Sequence, residues 1–253
     1  MNDKIRRRLI SGLDKLDFSI FGFKELMQIS NEKYVIANEI NKIKNHPKIV
    51  IDVGAGSGKI SSYITDNKTL LILIEPDLTM AKEIKKTLRG KRYLLLQDYW
   101  EAVEITDKTV DLFIFSYVLQ YIDFDINFIK RIKNLLNRNG VAVFVTTALD
   151  SDQFYLMEKF ADKGYYYREI FINRLLDKVS KRFKIKKIKC YSNLTTKSTS
   201  KAFKAICFML GIDANKLGEH DKDFIIKFIK SKTLNGKFKM NNSHNLYIIN
   251  KAL

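Results

Sequence analysis

Ile49-Val50-Ile51-Asp52-Val53-Gly54-Ala55-Gly56-Ser57-Gly58-Lys59 is the stretch on which the reading of this chain turns. A β-branched run favours an extended strand, and glycines at alternate positions supply the positive φ that a tight turn needs. A helical pattern follows from Lys59. The stretch therefore predicts a buried strand, a sharp turn and a helix start, with backbone N–H groups turned toward a ligand. Two phosphate-binding turns are excluded by spacing. The dinucleotide fingerprint requires its third glycine where Lys59 stands. The P-loop requires its first glycine one residue further from the Gly58-Lys59 pair, and a Ser or Thr where Ile60 stands. Asp52, at the strand tip, adds negative charge that repels phosphate and attracts a cationic amine or sulfonium.

Outward from this turn, strands and helices alternate. Residues 48–53, 69–75, 93–97, 110–115 and 141–146 read as strands, the second closed by Pro76. Residues 59–66, 78–88 and 125–136 read as helices, the last two stopped at Arg89-Gly90 and Asn137-Arg138-Asn139-Gly140. Near-continuous apolar strands in such alternation predict a parallel sheet covered on both faces. The expected class is α/β: a doubly wound, seven-stranded, mostly parallel sheet with helical additions. Residues 1–47 are expected to form an N-terminal helical lid and residues 48–197 the Rossmann-like core. Residues 198–238 are expected as a helical insertion, and 239–253 as the segment of the last core strand, whose strand signal runs from His244 to Asn250.

Composition supports a single substantial domain with additions. The chain has 253 residues, 46% of them hydrophobic, and only two prolines, which leaves ample material for a core. No apolar run approaches the ~18 residues of a membrane span, and no secretory leader is recognisable, so a cytoplasmic location is expected. Cys190 and Cys207 are too few for a disulfide framework or zinc site and read as core residues. The formal charge of +17 is spread along the chain and is mostly lysine. Its densest run, Lys181 to Lys189, alternates basic and apolar residues and predicts the solvated face of a strand near a sheet edge. Nucleic-acid contact is the competing reading of that charge.

Acids recur at the tips of the next two strands. Glu75, in Ile74-Glu75-Pro76-Asp77, stands where doubly wound folds place the ribose-binding carboxylate. Gln97-Asp98-Tyr99 ends the third strand, and Val110-Asp111-Leu112-Phe113-Ile114-Phe115-Ser116-Tyr117-Val118-Leu119-Gln120-Tyr121 forms the fourth and its exit. In this order the motifs closely resemble the class I S-adenosylmethionine-dependent methyltransferases, over roughly residues 45–150. The resemblance implies that Asp52, Gly54, Ala55, Gly56 and Gly58 hold the methionine part of S-adenosylmethionine. It places Glu75 and Pro76 at the ribose, Asp98 and Tyr99 at the adenine, and Ser116 near the sulfonium. S-Adenosylhomocysteine would be the product.

The chain departs from the family where a His often follows the fourth strand, since Gln120-Tyr121 stands there; an imported general base is therefore in doubt. Methyl transfer needs alignment and desolvation first, and a base only where the nucleophile must lose a proton. Candidate catalytic residues are Tyr117, Tyr121 and His220, with Glu169 also on the expected rim. His46 and His244 have weaker cases. Tyr165, Tyr166 and Tyr167 are candidates for an aromatic wall of the acceptor pocket. No metal is expected, although Asp150 and Asp152 keep one in view. The acceptor expected is a small molecule, a sugar, nucleotide-sugar or phosphorylated metabolite methylated on oxygen, acted on by a monomer or homodimer without a membrane partner. An RNA methyltransferase and a non-catalytic cofactor-binding partner subunit are the alternatives.

Overall fold

The structure, a computed structural model, describes residues 20–105 and 109–251. Eight strands are present among them: β1 (Ile49–Val53), β2 (Leu70–Ile74), β3 (Tyr93–Leu96), β4 (Val110–Ser116), β5 (Leu136–Thr147), β6 (Lys186–Thr196), β7 (Thr233–Leu234) and β8 (Lys237–Asn250). The α-helices are α1 (Ile20–Ile29), α2 (Glu32–Ile43), α3 (Lys59–Ile64), α4 (Leu78–Thr87), α5 (Ile126–Leu135), α6 (Asp152–Phe160), α7 (Lys163–Phe183), α8 (Thr199–Met209) and α9 (Glu219–Ser231). The sheet runs β3-β2-β1-β4-β5-β8-β6, and the two-residue β7 pairs only with β8. β1 to β5 are parallel, and β8 runs antiparallel to β5. The expected seven-stranded, mostly parallel sheet is thus present, with β7 as an addition.

The apolar strands divide their residues between two faces with a period of two. Ile51, Val53, Phe113, Phe115 and Phe144 lie on one side, with Phe128, Ile129 and Ile132 of α5 and Ile172, Leu176 and Val179 of α7. Val50, Leu71, Leu112, Ile114 and Val143 lie on the other, with Ile36 and Ile40 of α2, Ile60 and Ile64 of α3 and Ile84 of α4. Both faces are covered, which is why these strands read as unbroken apolar runs. On the first face Trp100 meets Phe113, Phe115 and Phe128 edge-on, with ring centroids 5.9–6.2 Å apart.

The chain divides into two compact units. Among the described residues, one comprises 32–105, 109–149, 167–191 and 243–251 and contains β1 to β5. The other comprises 20–31, 150–166 and 192–242, and residues 1–19 of the expected lid lie outside the described residues. α2, within the stretch assigned by sequence to an N-terminal lid, falls in the sheet unit, where Ile36, Ala37 and Ile40 are fully buried. Residues 150–166, assigned by sequence to the core, fall in the helical unit.

The helical unit has its own core of Leu156, Leu194, Ala205, Ile206, Ile225 and Met240, among others. Gly22 is required there: a Cβ on it would stand 2.5 Å from the Phe208 Cβ, so glycine lets α1 close on α8. Phe23 and Phe208 pack with centroids 5.4 Å apart.

Two strand boundaries differ from the sequence reading. β5 starts at Leu136 because Asn137 is drawn into the sheet, its Nδ2 donating to Asp111 Oδ1 at 2.6 Å. β8 starts at Lys237, and its polar first half masks a strand in which Phe238, Met240 and Asn242 are buried. The run Lys181 to Lys189, expected as one strand face, is divided: Lys181 and Arg182 lie in the last turn of α7, and Lys186, Lys187 and Lys189 are exposed on β6, at the end of the sheet path. Among the described residues no helix is long and apolar enough to cross a membrane.

Candidate active site

The glycine turn lies at the C-terminal edge of the parallel strands, the edge at which open α/β sheets bind ligands. Gly54, Gly56 and Gly58 all have positive φ, 65°, 55° and 70°. Their roles differ. A Cβ on Gly54 would stand 2.4 Å from Val118 Cγ2, so that glycine admits the segment leaving β4. A Cβ on Gly56 would meet nothing within 4 Å, so open space lies over the middle of the turn. Gly54 N–H donates to the Ile74 carbonyl at 2.8 Å, which carries the β1–β2 ladder into the turn.

Two buried acids flank this opening. Glu75 accepts from Gly56 N–H through Oε2 at 2.7 Å and from Asp77 N–H through Oε1 at 3.0 Å. Burial raises its carboxyl above the ordinary value, although these two hydrogen bonds act against the rise. A carboxylate has about four acceptor sites, so two bonds leave capacity for hydroxyl donors. Asp52 is 2% exposed and accepts the Ser61 hydroxyl at 2.6 Å. Burial pushes it up to about 7; Ser61 and Lys33 oppose the rise and Glu75 adds to it. A buried acid so poorly compensated is a place where a ligand cation would be stabilised. Ser116 Oγ, at the end of β4, is buried without a hydrogen-bond partner among the described residues, a further polar atom left for a ligand.

A family model described as a methyltransferase domain matches residues 51–144. Over these residues the chain is similar to that methyltransferase domain. The fold agrees. A protein of Bacillus halodurans named as a candidate methyltransferase is 16% identical with a TM-score of 0.56, over 86% of this chain and 98% of its own. A candidate methyltransferase from an antibiotic biosynthesis pathway of Anabaena variabilis is 15% identical at 0.56, over 83% and 95%. The YcgJ protein of Bacillus subtilis is 14% identical at 0.55, over 86% and 98%. No curated protein sequence matches significantly.

Asp98 is exposed and accepts Tyr99 N–H at 2.8 Å, while Tyr99 is 55% exposed and Pro76 is exposed beside Glu75. Ala55 is half-buried within the turn. Tyr117 follows β4 with φ +55°, a conformation that costs a non-glycine residue about 1–2 kcal/mol. Its N–H donates to Val145 at 3.1 Å, and its hydroxyl stands 2.5 Å from His244 Nδ1. Lys33 Nζ lies 4.9 Å from the centroid of the Tyr117 ring and 2.9 Å from Glu32.

The remaining candidates are more scattered. Tyr121 is partly exposed in the turn after Val118. His220 lies in the first turn of α9 in the helical unit; its side chain is 95% exposed, 3.5 Å from Asp221. The three consecutive tyrosines do not form one wall, because successive helical residues project about 100° apart. Tyr165 and Tyr166 pack on the core of the helical unit, Tyr166 stacking on Phe154 at 5.1 Å, whereas Tyr167 is 63% exposed in the sheet unit. Glu169 is buried and accepts Thr147 N–H at 2.7 Å, and burial pushes it up to about 7. Beside it Asn173 Oδ1 accepts from Thr146, Asn245 and Tyr247 at 2.9, 3.0 and 3.2 Å.

His244, for which the sequence makes a weaker case, and Lys33 and Glu32, which it does not single out, are grouped with Tyr117. An antiparallel strand brings its leading end to the edge where its parallel neighbours finish, and His244 pairs with Thr147 at the end of β5. A histidine opening the final strand was the available signal.

Proposed function

We propose that this chain is a class I S-adenosylmethionine-dependent methyltransferase that transfers a methyl group to the oxygen of a small-molecule acceptor, with the cofactor held across the turn at residues 54–58. The reading is carried by Glu75, whose carboxylate braces Gly56 while retaining acceptor capacity beside open space. In this reading Glu75 takes the ribose hydroxyls and Asp52 faces the cationic methionine end. Gly54, Ala55, Gly56 and Gly58 supply the backbone floor, with Ser116 close by. Asp98 and Tyr99 border the adenine, and Pro76 lies with Glu75 at the ribose.

S-Adenosylmethionine supplies a methyl already activated on a sulfonium. The chain has to position an acceptor in line, exclude water and take up a proton when the acceptor is a hydroxyl. Tyr117 is the catalytic residue we assign, since its strained backbone fixes the hydroxyl at the end of β4. A phosphorylated acceptor suits the net charge of +17.

Calorimetry with S-adenosylmethionine and S-adenosylhomocysteine tests the cofactor site. Wild-type protein should bind both, and Gly56→Val should lose that binding while keeping its circular dichroism spectrum. Unchanged affinity in Gly56→Val would place the site elsewhere. Release of S-adenosylhomocysteine over a panel of sugars, nucleotide-sugars and phosphorylated metabolites tests the acceptor class. Turnover with RNA instead would overturn it.

A further inference from the structure

We propose that His244 is the terminal proton acceptor of a Tyr117–His244 relay, through which an acceptor hydroxyl is deprotonated as it is methylated. This rests on the reading that the cofactor lies at the β1–β4 edge. The Tyr117 hydroxyl and His244 Nδ1 stand 2.5 Å apart, and the rings meet nearly edge-on at 5.9 Å between centroids. They are 127 residues apart in sequence and are brought together by one device. β4 ends at Ser116, Tyr117 bonds to Val145 on β5, and antiparallel β8 sets His244 opposite Thr147 at the end of that strand. Tyr117 reaches this position in a left-handed conformation. Strain of that kind at a ligand-facing edge is retained where a side chain has to be aimed.

A tyrosine is a poor proton acceptor by itself, because its own proton leaves only near pH 10. His244 provides the sink. It is completely buried, and burial holds its imidazole below the usual value; Glu32 acts against this, and Lys33 with it. Burial thus favours the neutral ring, the form that can accept a proton. Burial pushes Glu32 up, but Lys33 and His244 outweigh that and hold the acid below its ordinary range. A carboxylate so held stays charged and favours the imidazolium once formed.

In the step, the acceptor O–H bond breaks and its electron pair forms the new O–CH3 bond, while the sulfur keeps the pair of the breaking S–CH3 bond. The acceptor proton passes to Tyr117 Oη as the Tyr117 proton passes to His244 Nδ1. The imidazolium returns that proton to water after product leaves. Tyr117 touches the reacting atoms in this scheme; His244 acts through it.

The chain contains only three histidines. Nitrogen-15 spectra of full-length protein with S-adenosylhomocysteine, compared with His244→Asn to assign the signal, report the tautomer directly. The relay requires an unprotonated Nδ1 and a protonated Nε2 at pH 7–8, and a proton on Nδ1 overturns it. His244→Asn also keeps an oxygen able to accept from Tyr117 but cannot take the proton. Its S-adenosylhomocysteine affinity should stay within about threefold. With an acceptor found by product release, its kcat should fall by about 100-fold at little change in KM, and the acidic limb of the pH profile should disappear. If His244→Asn does not fold, Tyr117→Phe should give the same loss of kcat. Wild-type protein that fails to bind S-adenosylhomocysteine overturns the underlying site. Normal binding with undiminished turnover in the variants overturns the relay alone.

Discussion

Cofactor affinity should depend on pH through Asp52. The carboxyl is 2% exposed and burial pushes it from 3.8 up to about 7, so in the free protein it is mostly protonated below neutrality. A cationic ligand end favours the carboxylate, so binding draws the proton off. The ionised fraction is about one half at pH 7 and about 3% at pH 5.5. Apparent affinity scales with that fraction, so it should weaken by about 15-fold, or about 1.6 kcal/mol, between these values. Calorimetry at pH 5.5 in two buffers of different ionisation heat should also register close to one proton released per cofactor bound. Asp52→Asn should bind weakly at both pH values, with the dependence gone. Affinity that is flat in the wild type, or a dependence that survives in Asp52→Asn, refutes the assignment. The sign for stability is opposite to the usual one for an acid. The folded value lies above the unfolded one, so stability falls as pH rises between 3.8 and about 7, by at most about 4 kcal/mol. Asp52→Asn should therefore melt higher than wild type at pH 8.

The glycines of the turn should separate by role. Gly54→Ala should destabilise the protein by about 1–3 kcal/mol in urea titrations, because its Cβ would meet Val118 as well as an unfavourable φ. Gly56→Ala should cost about 1 kcal/mol, from φ alone, yet lose most cofactor affinity; equal stability losses would show that the open space was misread. Asn173→Ala should cost at least about 3 kcal/mol, since three buried donors then lose their acceptor. A loss below 1 kcal/mol in the same titration would mean that water replaces the amide.

The parallel half of the sheet was legible in the sequence because burial on both faces leaves nothing but apolar residues to be read. Ile49 to Val53 and Val110 to Phe115 announce themselves in this way. The first half of β8 was illegible for the opposite reason: Lys237, Lys239 and Asn241 alternate with buried positions, and polar residues obscure the period. Of the proposed site residues, Asp52, Glu75 and the glycines could be named from local order along one stretch. The Tyr117–His244 contact did not, because it depends on which strand lies beside β5 and in which direction it runs. The Tyr165–Tyr167 run failed differently. Adjacency in sequence was read as adjacency in space, which a helix does not permit.

β8 follows all the other strands in the chain yet lies inside the sheet path, between β5 and β6. A nascent chain that has already made β1 to β7 therefore has an open slot in its sheet, with the edge of β5 unpaired. Closing it requires strand insertion rather than addition at a free edge. The step joins residues about a hundred positions apart, as Val141 with Asn250, and so carries a large loop-closure cost. Folding of this sheet should wait on the segment that carries β8. A cargo fused there would compete with the insertion, whereas one fused beside β3, at the far end of the path, would not.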